Sequence, residues 1–388
     1  VCNHGAVVAY MKSWKGQYEA NSLSGVLVAL AMVPGAIAFA LIAGVSPMIG
    51  MMSTGLMMVI MSIFGHRRLM VSAPSSGVSL VAIMVTTRDD IYVLAWATLV
   101  MGIIQISLSF LKLNKVIAYI PQPVVIGFMN ALGFLLLTSQ LPHIFGRNLQ
   151  TYLFAVMRFI IIYTVPKWTR KVPATLVSIV ILTAISMLLK PNIVRVEDLA
   201  KIKFILPDFA HFHLSIISQH LLDILIFGGM LAVVATIQTS LTAQMMDDLT
   251  GDPSDKRKES MAQGIANATL GLLGGLGGSA LVGQSKFNYK MGATSRLSTL
   301  VTGVAMLLFL VFLGDIVGQI PIVVLATVLV TISFGTFDQQ TKQLIKRKRY
   351  MDLSLMAFTW ILIIWTKNLA LGVLIGTLLF YIIRYIRK

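Results

Sequence analysis

Two breaks in an otherwise apolar chain hold the residues with chemistry to offer. The longer, 271–298, reads GLLGGLGGSALVGQSKFNYKMGATSRLS and carries Gly271, Gly274, Gly275, Gly277, Gly278 and Gly283. The shorter is Pro74, Ser75, Ser76 and Gly77, just ahead of an apolar run. Glycine weakens a helix interior by about 1 kcal/mol against alanine and permits close backbone approach, so neither stretch continues as one straight helix. At membrane depth, irregular backbone survives only where protein buries it or a watery cavity meets it. Such a break supplies main-chain chemistry. A short helix starting at Gly77, or over 279–287, presents free N–H groups and about half a positive charge at its N-terminus. That suits an anion. Helix capping is a compatible role for Ser75 and Ser76. For the glycine run, a tight helix-packing seam is the competing reading.

Little else in the chain is reactive. His4, His66, His143, His211, His213 and His220 are scattered through expected loops and termini, and no His/Glu or Cys spacing suggests a metal centre. No Gly-rich loop ending in Lys-Ser/Thr points to a nucleotide, and no nucleophile–base pair is evident. An enzyme is therefore a poor reading, and no cofactor is expected. Cys2 is the single cysteine, which excludes an internal disulfide.

The elements that position these breaks follow from composition. The 388 residues are 57% hydrophobic and 12% charged, with a mean hydropathy of +0.85. Soluble domains carry roughly twice that charged fraction, so the chain reads as an all-α polytopic membrane protein. The net charge of +16 could suggest nucleic acid. The basic residues, however, are short clusters between apolar runs, the habit of cytoplasmic loops, so membrane lipids rather than nucleic acid are the expected partners. Residues 1–21 read as a cytoplasmic lead-in, without the short apolar segment and cleavage site of a signal peptide.

Apolar spans are expected at about 24–43, 47–64, 77–87, 91–111, 121–141, 152–165, 173–189, 221–246, 260–273, within 271–298, and at 297–313, 320–334, 353–365 and 369–383. Pro34 with Gly35 predicts a kink or unwound turn in the first. Arg158 makes the sixth the weakest, and is placed in its outer half or at the interface. With the N-terminus inside, 22 of the 31 Lys and Arg fall in inside segments and 7 outside, while Arg158 and Lys286 lie within spans. That split supports fourteen spans in the cell membrane with both termini cytoplasmic. Fourteen divides into repeats over 22–190 and 221–388, separated by the polar stretch 190–220. Seven being odd, the second repeat runs inverted. The interrupted elements, spans 3 and 10, are each third in their repeat, the arrangement that marks a transporter's binding site.

Several of these stretches resemble the SulP family, the sulfate permeases of bacteria and plants with their animal anion-exchanger relatives. PGAIAFALIAGVSPMIG (34–50) is similar to that family's span 1–2 signature, and DDLTGDPSDKRKESMAQGIANATLGLLGG (247–275) to its span 8–9 signature. FNYKMGATSRLSTL (287–300) and IPIVVLATVLV (320–330) resemble its span 10–12 region. The resemblance implies a fourteen-span inverted repeat, shared with uracil permeases. It also implies a core (spans 1–4 and 8–11) moving against a gate (spans 5–7 and 12–14). Substrates in the family are sulfate, bicarbonate, chloride, oxalate or dicarboxylates. Many members continue into a soluble regulatory domain after span 14. This chain stops at Lys388; natural absence and truncation are both open, as is assembly into a homodimer.

Carried over by motif, the pocket comprises Gly35 and Phe39, Ser75 and Ser76, Gln238 and Thr242, and Leu281, Val282, Gly283 and Gln284. Phe39 could equally be packing. Two residues depart from the family. An acidic residue common in span 8 is Gln238 here, and an Arg common in span 10 is Gln284. An amide cannot change charge with pH, so carboxylate-based proton or sodium coupling is not expected. Loss of both charges together is physically sensible, since a buried charge without a partner is costly. Lys286 either supplies the positive field that the missing Arg does not or snorkels to the cytoplasmic interface. Asn267 is expected to hydrogen-bond broken backbone nearby. Asp247, Asp248, Asp252 and Asp255, beside Lys256, Arg257 and Lys258, read as a solvated mixed-charge loop. The expected function is secondary transport of a small anion by alternating access, with an anion channel or a nucleobase permease of the same fold as the alternatives.

Overall fold

The computed structural model describes residues 17–88, 91–111, 119–169, 172–199 and 214–386. Expectations for Cys2, His4, His211 and His213 lie outside these residues. The described chain is helical apart from two two-residue strands. In order it holds α1 (Tyr18–Ile42), α2 (Pro47–Phe64), β1 (Ser72–Ala73), α3 (Ser76–Arg88), α4 (Ile91–Phe110), α5 (Gln122–Ile144), α6 (Leu149–Trp168) and α7 (Ala174–Leu189). A short α8 (Val196–Leu199) follows. Then come α9 (Leu214–Thr250), α10 (Lys256–Leu272), β2 (Ser279–Ala280), α11 (Val282–Lys290), α12 (Leu297–Gly318), α13 (Ile322–Thr336), α14 (Gln340–Lys346), α15 (Tyr350–Thr366) and α16 (Leu369–Ile386). Among the described residues, eight helices are long and apolar enough to cross a membrane, or nine if α13 and α14, bent by 41°, form one span. This is a multi-pass membrane protein.

Three local expectations are narrowed or corrected. Of the kink or unwound turn expected at Pro34, the unwound turn is not formed: α1 is helical from Tyr18 to Ile42. Proline removes one backbone donor, and membrane helices tolerate that loss. α1 also begins at Tyr18, so the end of the expected lead-in is already helix. The stretch 279–287 does not begin as helix: Ser279 and Ala280 are extended, and α11 starts at Val282. The reason is pairing, since β2 needs extended backbone to bond β1.

Small residues let the helices approach closely. A Cβ on Gly102 of α4 would lie 2.3 Å from Ala268 N of α10, and one on Gly271 would lie 2.4 Å from Leu99 N. The packing-seam reading of the glycine run therefore holds for Gly271. Packing falls into two groups. In one, α10 and α9 lie along α4, and α12 lies along α1 and α2. In the other, α5 packs on α13 and α15, and α6 on α7. Fewer contacts join the groups, chiefly α1 with α13 and α7, and α3 with α5.

The loop 247–255 is not simply solvated. Asp247 is 8% exposed and lies 3.5 Å from Arg67 Nη1, while Asp252 lies 3.6 Å from the same atom. Glu259 accepts the backbone N–H groups of His66 and Arg67 at 2.6 and 2.7 Å. His66 Nδ1 in turn accepts the Asp255 N–H at 3.0 Å, which requires neutral imidazole. Burial, then nearby Lys258, holds His66 below its ordinary range and so favours that form. A buried pair broken on one side is costly, so this cluster fixes the end of α2 to the α9–α10 connection.

Candidate functional site

The two sequence breaks meet. Ser72 pairs with Ala280 and Ala73 with Ser279 in an antiparallel ladder, extended by Leu281 N–H donating to Val71 O at 2.8 Å. Each strand leads almost at once into a short helix, α3 of 13 residues and α11 of 9. Because the strands are antiparallel, the helices leave the junction in opposite senses with their N-termini together. At 1.5 Å per residue they rise only about 20 and 14 Å, against a hydrocarbon core of about 30 Å. Gly278 makes the crossing feasible: a Cβ there would lie 2.4 Å from the Ala73 carbonyl carbon.

Polar side chains stitch this junction to α9 and α10. Ser75 donates its hydroxyl to Gln238 Oε1 at 2.9 Å, and Ser279 Oγ lies 2.8 Å from the same oxygen. The amide oxygen of Gln238 is thus taken up by serine hydroxyls. Thr242 donates to the Gln238 carbonyl at 2.8 Å. Asn267 Oδ1 accepts the Gly278 N–H at 2.9 Å, and its Nδ2 donates to Gly278 O at 3.2 Å and to Gln105 Oε1 at 2.7 Å. Asn267 thus bonds the broken backbone, as its place in the sequence suggests. Ser53 accepts the Leu276 N–H at 2.8 Å.

A cavity of about 570 Å³ opens against the two N-termini. Gly35, Phe39, Ser76, Gln238, Thr242, Leu281, Val282, Gly283, Gln284 and Lys286 all contribute to its wall. Ser75 does not; it sits behind, holding Gln238. A Cβ on Gly283 would meet nothing within 4 Å, so this glycine, unlike Gly278, borders open space. The opposite wall comes from the second packing group, including Thr175 at the start of α7 and Val328, Thr331 and Thr336 of α13. A second cavity, of about 490 Å³, takes the other ends of α1 and α13, with Ser46, Gln140, His143 and Leu325 in its wall.

One wall residue was only partly placed by sequence reasoning. Arg158 is not exposed at an interface: it is fully buried in α6, among the residues that border the first cavity. Its Nη1 donates to Thr331 Oγ1, and its Cζ lies 5.4 Å from the Phe159 ring centre. A lone Arg in an apolar span was the available signal, but the span alone does not say which way it faces. Lys286 is exposed and contributes to the same wall. The cavity wall therefore holds two cations, several main-chain donors and no carboxylate. Desolvating a charge costs on the order of several kcal/mol unless it is paired, so this wall favours a negatively charged occupant. Among the described residues, no group of three or more His, Cys, Asp or Glu could hold a metal.

The profile of the Sulfate permease family matches residues 19–161 and 147–359. The putative sulfate transporter YbaR of Bacillus subtilis is 36% identical over 368 residues, covering 95% of this chain and 77% of that protein. The transmembrane domain of a cyanobacterial bicarbonate transporter, BicA, superposes with a TM-score of 0.79 at 24% identity, covering 94% of this chain and 97% of that one. Murine Solute Carrier 26 family member A9, an anion transporter solved in the inward-facing state, gives 0.83 at 18% identity, covering 99% and 72%.

Proposed function

The chain belongs to the sulfate permease family, and on that premise we propose that it is a secondary transporter of a small inorganic or carboxylate anion, working by alternating access in the cell membrane. The observation that carries this reading is the cavity wall: the N-termini of α3 and α11, with Arg158 and Lys286, and no carboxylate. Helix N-termini and free amides bind anions without a charged side chain having to travel with them.

In this reading the fourteen apolar elements form two inverted sevens, with α3 and α11 as the equivalent half-helices. The group of α1–α4 and α9–α12 acts as the moving core, and the group of α5–α7, α13, α15 and α16 as the gate. The fewer contacts between the groups support that division. Both termini are cytoplasmic, and basic inner loops attract anions and acidic lipid. Gln238, locked by two serine hydroxyls, offers no titrating group, so transport is exchange or uncoupled movement rather than cation symport.

The test is uptake into proteoliposomes with sulfate, bicarbonate, chloride, oxalate and fumarate, each with and without sodium or proton gradients. Saturable uptake of at least one anion, insensitive to sodium, is expected. No uptake of any anion overturns the reading, strong sodium dependence overturns the role given to Gln238, and current without stoichiometric exchange makes the protein a channel.

A further inference from the structure

Arg158 carries more information than its charge. A guanidinium has five N–H donors in one plane. Nη1 is taken by Thr331 Oγ1, and Thr331 is itself oriented, because its hydroxyl donates to Thr327 O at 3.1 Å. The guanidinium plane is therefore held from one end. Nε and Nη2 are both buried and have no hydrogen-bond partner. These two are neighbours: their N–H bonds lie parallel along one edge of the fork, the edge that takes two oxygens of a single oxyanion side by side. No carboxylate in the cavity wall supplies those oxygens.

We propose that the unpaired Nε–Nη2 edge of Arg158, a residue bordering the cavity onto which α3 and α11 open, is a bidentate subsite for an oxyanion. The inference rests on the anion-transport reading and narrows it. A substrate with two oxygens on one centre, such as bicarbonate, a carboxylate or sulfate, satisfies both donors at once. A halide offers one acceptor and satisfies them poorly. Selectivity then comes from the gate wall, while the amide cradle serves any small anion. Lysine cannot replace this arginine, since it keeps the charge and loses the fork.

The experiment compares oxyanions with halides, with formate and bicarbonate matching chloride and iodide in charge. KM for uptake of formate, bicarbonate, sulfate, chloride and iodide is measured in proteoliposomes for the wild type, Arg158→Lys and Arg158→Gln, with size-exclusion profiles to confirm folding. Arg158→Lys should raise KM for formate and bicarbonate about tenfold or more, the scale of a charge-assisted hydrogen bond, while leaving chloride within about twofold. Arg158→Gln should weaken both classes. Sulfate, being tetrahedral, separates fit to two oxygens from fit to a planar anion: a rise for sulfate as well supports the edge itself. A fall in maximal rate with unchanged oxyanion-to-halide preference means that Arg158 only packs the wall, and overturns the inference while leaving anion transport standing. Should the variants not fold, thermal shifts of the wild type in formate and in chloride decide: equal stabilisation by the two also overturns it. No uptake of any anion by the wild type is a different failure, that of the transport reading.

Discussion

Gln238 shows how a neutral residue can be specified by its neighbours. Its oxygen is held by Ser75 and lies beside Ser279, and a Cβ on Gly77 would lie 2.9 Å from that oxygen. Gln238→Glu keeps the shape and the serine donors but places a negative charge on the cavity wall. At roughly 5 Å and an effective dielectric of about 20, two like charges repel by about 3 kcal/mol. Anion uptake at neutral pH is therefore expected to fall about a hundredfold through KM, with thermal stability little changed. Uptake that stays within twofold of wild type would remove Gln238 from the site. The serine–amide arrangement was only half legible in the chain. Pro74 to Gly77 announce a break, but Ser279 bonds a residue 41 positions earlier and Ser75 bonds one 163 later, and sequence periodicity carries no signal for such pairs. The burial of Arg158 was hidden for the same reason, its partner Thr331 being 173 residues away.

Between elements, the junction of β1 and β2 decides where two helices start. Sequence reasoning found both breaks because glycine, proline and serine interrupt an apolar pattern. It missed the strands because two residues are too few to show a period. It set Gly283, in the pocket, apart from the run at 271–278, and the surroundings of Gly278 and Gly283 differ in the same sense. Gly278→Ala would push a methyl against the Ala73 carbonyl, at 2.4–2.5 Å, and parting the strands should lower thermal stability and abolish transport. Gly283→Ala meets no protein atom within 4 Å, so stability should hold while uptake falls, because the methyl enters the cavity and stiffens the start of α11. Paired melting curves and uptake rates check both. Equal stability losses for the two variants would contradict the separation.

Across the molecule, the two cavities share α1 and α13 but take their opposite ends. Alternating access requires the two to open in turn. Cys2 is the single cysteine, so Cys2→Ser gives a background for placing one thiol at Thr336 in the first cavity or Ser46 in the second. A membrane-impermeant thiol reagent should reach Thr336→Cys only from the cytoplasmic face and Ser46→Cys only from the opposite face. Saturating substrate on one side should change the two rates in opposite directions. Labelling of both thiols from the same side would refute the arrangement. The all-helical class was legible at this scale from composition and span length alone, whereas the grouping of helices depends on close approaches such as Gly102 to Ala268 that no single span reveals.

The β1–β2 ladder also sets a clock. Ser72 leaves the ribosome long before its partner Ala280 exists. At about 5–20 residues per second, the gap of roughly 200 residues takes on the order of 10–40 s to synthesise. Throughout that interval α3 is a short helix whose strand has no mate, and the first seven helices must wait in the bilayer with that edge unpaired. Insertion of this protein should therefore depend on whatever shields an unfinished strand during translation, and ribosome stalls placed before β2 should be recognised as unfinished far more readily than stalls placed just after it.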